Sequence, residues 1–158
     1  MINLQIKVYN VGTVRLVRGV FVIMAYELFW VVGKRVLMAR FHGSINAEGI
    51  QAFIAEQHAM IAEGIPLVHH INDTTDTGKI EVNLQTMQAL MKSFKMPAGL
   101  GWHIEVNPNP VNRMVSGIAL QFAKARYRVV PTVDEAIAFL QANDESLPQL
   151  VNPYSIAH

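Results

Sequence analysis

The 158-residue chain carries thirteen Lys and Arg against twelve Asp and Glu, a formal net charge of +1, and 51% of its residues are hydrophobic. That length gives room for one domain with a sizeable core, and the composition excludes a disordered chain. Near-neutral charge argues against a dedicated nucleic-acid binder, and the absence of cysteine excludes thiol catalysis, disulfides and thiolate metal sites.

Lack of cysteine fits a cytoplasmic protein. The apolar stretch 14–32 holds Arg15, Arg18 and Glu27, and its uncharged part, 19–26, is far short of the roughly 20 residues a bilayer crossing needs. A β-rich run follows it rather than a small-residue cleavage site, so neither a transmembrane segment nor export is expected.

Residues 1–24 read as an N-terminal extension. Leu4, Ile6 and Val8 alternate like a strand, but turn chemistry is absent, and the convincing pattern begins after Met24. An edge strand, a loosely attached arm and a native start at Met24 are all compatible with it. Residues 25–32 and 35–42 are two apolar strands joined at Gly33-Lys34, the signature of a type I′ or II′ hairpin. Asn46 caps a helix with Ile50, Phe53, Ile54, Met60 and Ile61 on one face, and Gly64 and Pro66 end it.

A short strand, 67–71, runs into 72–78, Asn-Asp-Thr-Thr-Asp-Thr-Gly, whose polarity predicts a loop. A helix follows with Leu84, Met87, Leu90, Met91 and Phe94 in one stripe, broken by Pro97 and Gly99. Residues 102–106 alternate as a strand, and Pro108 and Pro110 then set the start of a helix bearing Val111, Met114, Val115, Ile118 and Phe122. Residues 127–130 form the last strand, and Thr132 with Glu135 makes a capping box for the last helix. After residue 142 the chain turns polar, and Pro148 and Pro153 make 143–158 a mobile tail.

The order hairpin, helix, strand, helix, strand, helix, strand, helix predicts an α/β fold. It has a single mixed, mostly parallel sheet, an antiparallel hairpin strand at its edge and four main helices.

Charge is laid out in blocks. Residues 1–40 hold Lys7, Arg15, Arg18, Lys34, Arg35 and Arg40 against Glu27; the segment 41–90 is acidic, and 91–130 is basic again. Either these are solvated faces of different elements, or the molecule has opposed sides that suit self-association or a charged partner.

Candidate chemistry is sparse. His69 and His70 are adjacent on a strand and point to opposite faces, so they cannot chelate one ion together, although His42 or His103 on other strands can meet one of them. No ligand spacing supports a metal, and no cofactor motif or nucleophile elbow is present. The run Asn107-Pro108-Asn109-Pro110-Val111-Asn112-Arg113 lies where a parallel strand ends, the place at which ligands sit in open α/β sheets. Arg113 there suits an anionic group. The methionines Met87, Met91 and Met114 read as core or as an adaptable binding face.

Three stretches carry a resemblance. They are 36–43 (Val-Leu-Met-Ala-Arg-Phe-His-Gly), the strand 67–72 entering the Asp/Thr run, and Arg128-Val129-Val130 followed by Thr132-Val133-Asp134-Glu135-Ala136-Ile137-Ala138-Phe139-Leu140. Together, over 25–142, they resemble the STAS-like (anti-sigma-factor antagonist-like) domain family. The resemblance implies a protein-binding module in which a Ser or Thr, in an Asp-Ser-Ser-Gly-like loop at a helix start, is phosphorylated. Its counterparts here are Thr77, Thr75 and Thr74 beside Asp76 and Gly78, although Lys79–Val82 intervene before the helix. A binding rim is then expected from Asp73, Asp76, Gly78, Asn107, Asn109, Asn112 and Arg113.

Two functions remain open: a non-enzymatic module that binds another protein or itself in regulation, and a carrier of a small apolar ligand resembling the lipid-binding Sec14 (CRAL-TRIO) core. The carrier requires an apolar cavity between sheet and helices; a solid core would favour the protein-binding module.

Overall fold

The computed structural model describes residues 15–17, 20–22, 25–93 and 95–156. Strands β1 (Arg15–Val17) and β2 (Val20–Val22) pair antiparallel in a ladder of their own. The rest of 1–24, including Leu4, Ile6, Val8 and Met24, lies outside the described residues.

The main sheet contains β3 (Ala25–Val32), β4 (Val36–Ile45), β5 (Val68–Ile80), β6 (Leu100–Val106) and β7 (Tyr127–Val130), in that spatial order. β3 pairs antiparallel with β4 at the edge, and every later pairing is parallel. Helices α1 (Ala47–Ala62), α2 (Leu84–Ser93) and α3 (Pro110–Phe122) are the crossovers, and α4 (Val133–Asn143) follows β7. This is the mixed, mostly parallel α/β architecture with four helices that the sequence pattern predicts.

Strands added always in one direction by right-handed crossovers place their helices on one face. That face holds α1, α2 and α3; α1 and α2 pack on Leu28, Leu37, Ala39 and Phe41 of the hairpin, and α3 lies over β6 and β7. The other face is covered by α4, whose Val133, Ala136 and Leu140 pack on Val36, Met38, Ile71 and Ile104. Side chains alternate between faces along each strand, so neighbours Leu37 and Met38 belong to different cores.

The helix starts follow the sequence signals. Asn46 accepts from Gly49 N at 2.7 Å, Asn109 accepts from Val111 N and Asn112 N with Pro110 at the first helical position, and Thr132 accepts from Glu135 N.

Three local expectations are corrected. The hairpin turn is closed by Arg35 N donating to Val32 O, and Lys34 rather than Gly33 takes the left-handed conformation, with φ 60°. A register shift between Trp30 and Val32 accommodates this turn in place of a primed one. Second, 72–78 is no loop. β4 continues past Gly43 to Ile45 and gives β5 a partner through Gly43↔Thr77 and Ile45↔Ile80, so the polar run stays in the sheet.

Third, the described part of the expected mobile tail 143–158, residues 143–156, is packed on the domain. Arg35 and His69 both hold Asp144, whose carboxyl is kept well below the usual range by hydrogen bonds from Ser146 first and His69 second. Leu147 and Leu150 are buried in the α4-side core. Gln141 bonds Pro148 O and Leu150 N, Asn152 donates to Asp134, and the Arg40 guanidinium lies 4.2 Å over the Tyr154 ring. The segment is a strap that completes the second core.

The strap makes a measurable claim. Leu147→Ala and Leu150→Ala should each destabilise the chain by about 2–5 kcal/mol in urea unfolding, as core leucines do. Losses under about 0.5 kcal/mol, normal for surface changes, would restore the mobile tail.

Candidate functional site

Alternation on the two central strands puts an unusual set of residues under helices α1–α3. His70, Asn72 and Thr74 of β5 and His103 and Glu105 of β6, followed by Asn107, form the polar floor between them. Their alternation partners Ile71, Ile104 and Val106 lie in the α4-side core. A covered sheet face is normally apolar, so this polar stripe requires partners.

It has them. Asn72 Nδ2 donates to Glu105 Oε2 at 2.7 Å, and Thr74 Oγ1 lies 3.1 Å from Glu105 Oε1 and 2.8 Å from Val106 O. Asn107 Nδ2 donates to Thr74 Oγ1 at 3.0 Å, and Arg113 Nη1 donates to Asn107 O and Pro108 O. Toward the other end, Gln57 of α1 donates to His70 Nδ1 at 2.8 Å, and His103 Nδ1 lies 3.1 Å from the same nitrogen. With Gln57 as donor, His70 Nδ1 is the acceptor and its hydrogen sits on Nε2, a tautomer assigned by the network. That Nε2 is buried with no hydrogen-bond partner among the described residues.

Above the stripe lies a cavity of about 460 Å³. Asn72, Thr74, His103, Glu105 and Asn107 give it a polar floor, with Gln57, Asn112 and Ser116 on its helical side; Phe41, Ile45, Phe53, Met87, Leu100 and Ile118 are among its apolar walls. Leu84 of α2 and Met114 of α3 line it as well, yet they are 48% and 61% exposed. The cavity therefore opens toward solvent at the α2–α3 side through apolar side chains. Its size falls within the range of small-molecule sites.

No protein-family model matches the chain, and no curated protein is similar to it in sequence. Among solved structures, the anti-sigma factor antagonist SpoIIAA in its unphosphorylated form matches 81% of this chain and 100% of its own. The TM-score is 0.51 and the identity 19%. The fold is STAS-like.

Within this STAS-like fold the candidate phosphoacceptors all lie in β5, before α2 begins at Leu84 with Asn83 accepting from Thr86 N. Thr74 is buried and engaged by Glu105, Val106 and Asn107; Thr77 donates to Thr74 O; Thr75 is exposed. None stands at a helix start.

The expected rim divides between the two faces. Asn107 and Asn112 line the cavity. Asn109 caps α3, and Arg113 is engaged by the carbonyls of Asn107 and Pro108 rather than held free for an anion. Asp73 is buried and accepts from Thr75 N; burial first and the Asp73 charge second raise the Tyr154 hydroxyl's pKa, while Asp76 pairs with Arg40. Gly78 is exposed next to Gly43. His42 lies by Glu27 and Asp76, apart from the His70–His103 pair, and His69 faces Asp144. Among the described residues no group of three or more His, Asp or Glu is placed to hold a metal ion.

Sequence reasoning missed Gln57, Asn72 and Glu105. The signal was present: polar residues at period two on consecutive strands, in a chain with enough helices to cover both faces.

His70 supplies a pH test. Burial, and secondarily His103, pushes its pKa well below the ordinary 6.5. The folded chain keeps His70 neutral while the unfolded chain takes up a proton. Stability is thus full above about pH 6.5 and falls below it, by up to about 1.4 kcal/mol per pH unit. His70→Gln should flatten the loss between about pH 7 and pH 5, leaving the smaller background that includes His58, also lowered by burial. Equal pH slopes in urea unfolding of wild type and variant would contradict this.

Proposed function

We propose that the chain is a non-enzymatic STAS-like module that holds a small apolar or amphiphilic molecule between its sheet and helices α1–α3. The observation that carries the reading is the cavity of about 460 Å³, mostly apolar on its helical walls and open beside Leu84 and Met114. An empty apolar space of that size is costly in a packed core, whereas a bound ligand restores the missing contacts. Methionines 87, 96 and 114 among its walls suit an adaptable fit.

A second reading is regulatory protein binding, supported by the likeness to an anti-sigma factor antagonist. The two are compatible: α2 and α3 line the cavity and also carry the exposed side chains of Leu84, Val111 and Met114. A ligand that reorders these helices changes the surface offered to a partner.

Native mass spectrometry of the full chain from its own host is expected to show a small-molecule adduct that denaturation releases. An environment-sensitive apolar dye should bind the emptied protein. Ala119, buried on α3 against the cavity, offers a block: Ala119→Phe should abolish dye binding while thermal unfolding stays cooperative. A clean polypeptide mass together with no dye binding by wild type would overturn the carrier reading and leave the regulatory one.

A further inference from the structure

The floor of the cavity selects the head group of its ligand. We infer that the site takes an amphiphile whose polar end donates hydrogen bonds, an ammonium or hydroxyl head, and rejects anionic heads such as carboxylates. This rests on the carrier reading above.

The part of the floor that lines the cavity has an excess of acceptors, and the unpartnered Nε2–H of His70 lies outside that lining. Glu105 is buried at the cavity wall, and an ionised carboxylate offers about four lone-pair sites. Asn72 Nδ2 fills one. The Thr74 hydroxyl has one hydrogen, and it lies closer to Val106 O, at 2.8 Å, than to Glu105 Oε1, at 3.1 Å. Lone pairs on Glu105 are therefore left over.

Asn72 adds no free donor. Because its Nδ2 faces the carboxylate, its Oδ1 is fixed as the opposite end, and that oxygen is buried without a hydrogen-bond partner among the described residues. Asn107 Oδ1 is already satisfied by Asn109 N and adds no donor. Asn72 Oδ1 presents no accessible surface, so the acceptors within reach of a head group are the spare lone pairs of Glu105, whose desolvation a donor there relieves.

Charge points the same way. Among the described residues the one cationic-capable group within ion-pair range of Glu105 is His103, whose Nε2 is 3.7 Å from Oε2. Arg113, the nearest candidate by sequence, directs Nη1 at the carbonyls of Asn107 and Pro108. A second carboxylate brought to this floor meets Glu105 in a poorly solvated space with no Arg or Lys between them, whereas an ammonium completes an ion pair. The apolar walls would take the chain of such a ligand.

The test uses the full chain at neutral pH and three probes of one chain length: dodecylamine, dodecanol and dodecanoate, each competing with the apolar dye. The expected order is amine, then alcohol, then carboxylate, with amine over carboxylate by about tenfold or more, the usual worth of a hydrogen bond to a charged group. Glu105→Gln keeps the shape and removes the charge. It should weaken the amine, strengthen the carboxylate and leave the alcohol within about threefold, so that the amine preference shrinks by about tenfold.

Equal displacement by all three probes, or a carboxylate preference, overturns the head-group inference and leaves the carrier reading standing. Absence of dye and probe binding altogether overturns the carrier reading itself. If Glu105→Gln fails to fold, the wild-type order still decides between donor and anionic heads.

Discussion

The constraint on which the rest depends is the burial of a polar row on a covered sheet face. His70, Asn72, Thr74, His103, Glu105 and Asn107 all sit where helices α1–α3 exclude bulk water. Burying such groups unpaired costs about 1–3 kcal/mol each, so the neighbourhood is arranged around pairing them. Gln57 interrupts the apolar face of α1, between Phe53 and Ile61, to reach His70. Thr74 and Asn107 tie the middle of β5 to the turn into α3.

Topology decides which face is affected. Three right-handed crossovers spaced along one direction of the sheet leave α4 to return alone beneath the opposite face. A single helix is too narrow for five strands, and the deficit is made up by the strap through Leu147, Leu150 and Tyr154. Gly101 belongs to the same arrangement: a Cβ there would sit 2.7 Å from His69 Nδ1, the atom that accepts from Trp102 N. His69 in turn holds Asp144, so a bare backbone position on β6 helps anchor the start of the strap. One face is closed by aliphatic packing and fixed ion pairs. The other is polar at its base and open at one side.

Most of the architecture was legible because it is local. Asn46, Asn109 and Thr132 mark helix starts through hydrogen bonds to the next few residues, and the hairpin and last strand announce themselves by alternation. What escaped depends on distant pairing. Residues 72–78 look like a loop because Asp, Thr and Gly are poor strand formers, and the extra length of β4 supplies their ladder. The strap looks loose because prolines and polar residues surround two leucines whose destination is the far side of the sheet. At the site, Asn107 and Asn112 could be placed at a strand end by motif, whereas Glu105 and Asn72 required knowing that β5 and β6 are neighbours in register.

The strap also bears on where this domain can be cut. A fragment ending at α4, the boundary that the repeating strand–helix pattern suggests, removes Asp144, Leu147, Leu150 and Tyr154 together. It uncovers apolar side chains of the core that contains Phe29, Val36 and Leu140, beside the edge of β3 that has no partner strand among the described residues. An exposed greasy patch next to an open strand edge is the arrangement that drives chains to pair edge to edge and precipitate. Residues 144–154 thus act as a solubility device as much as a structural one, and a chain shortened before them would be lost to aggregation before its cavity could be studied.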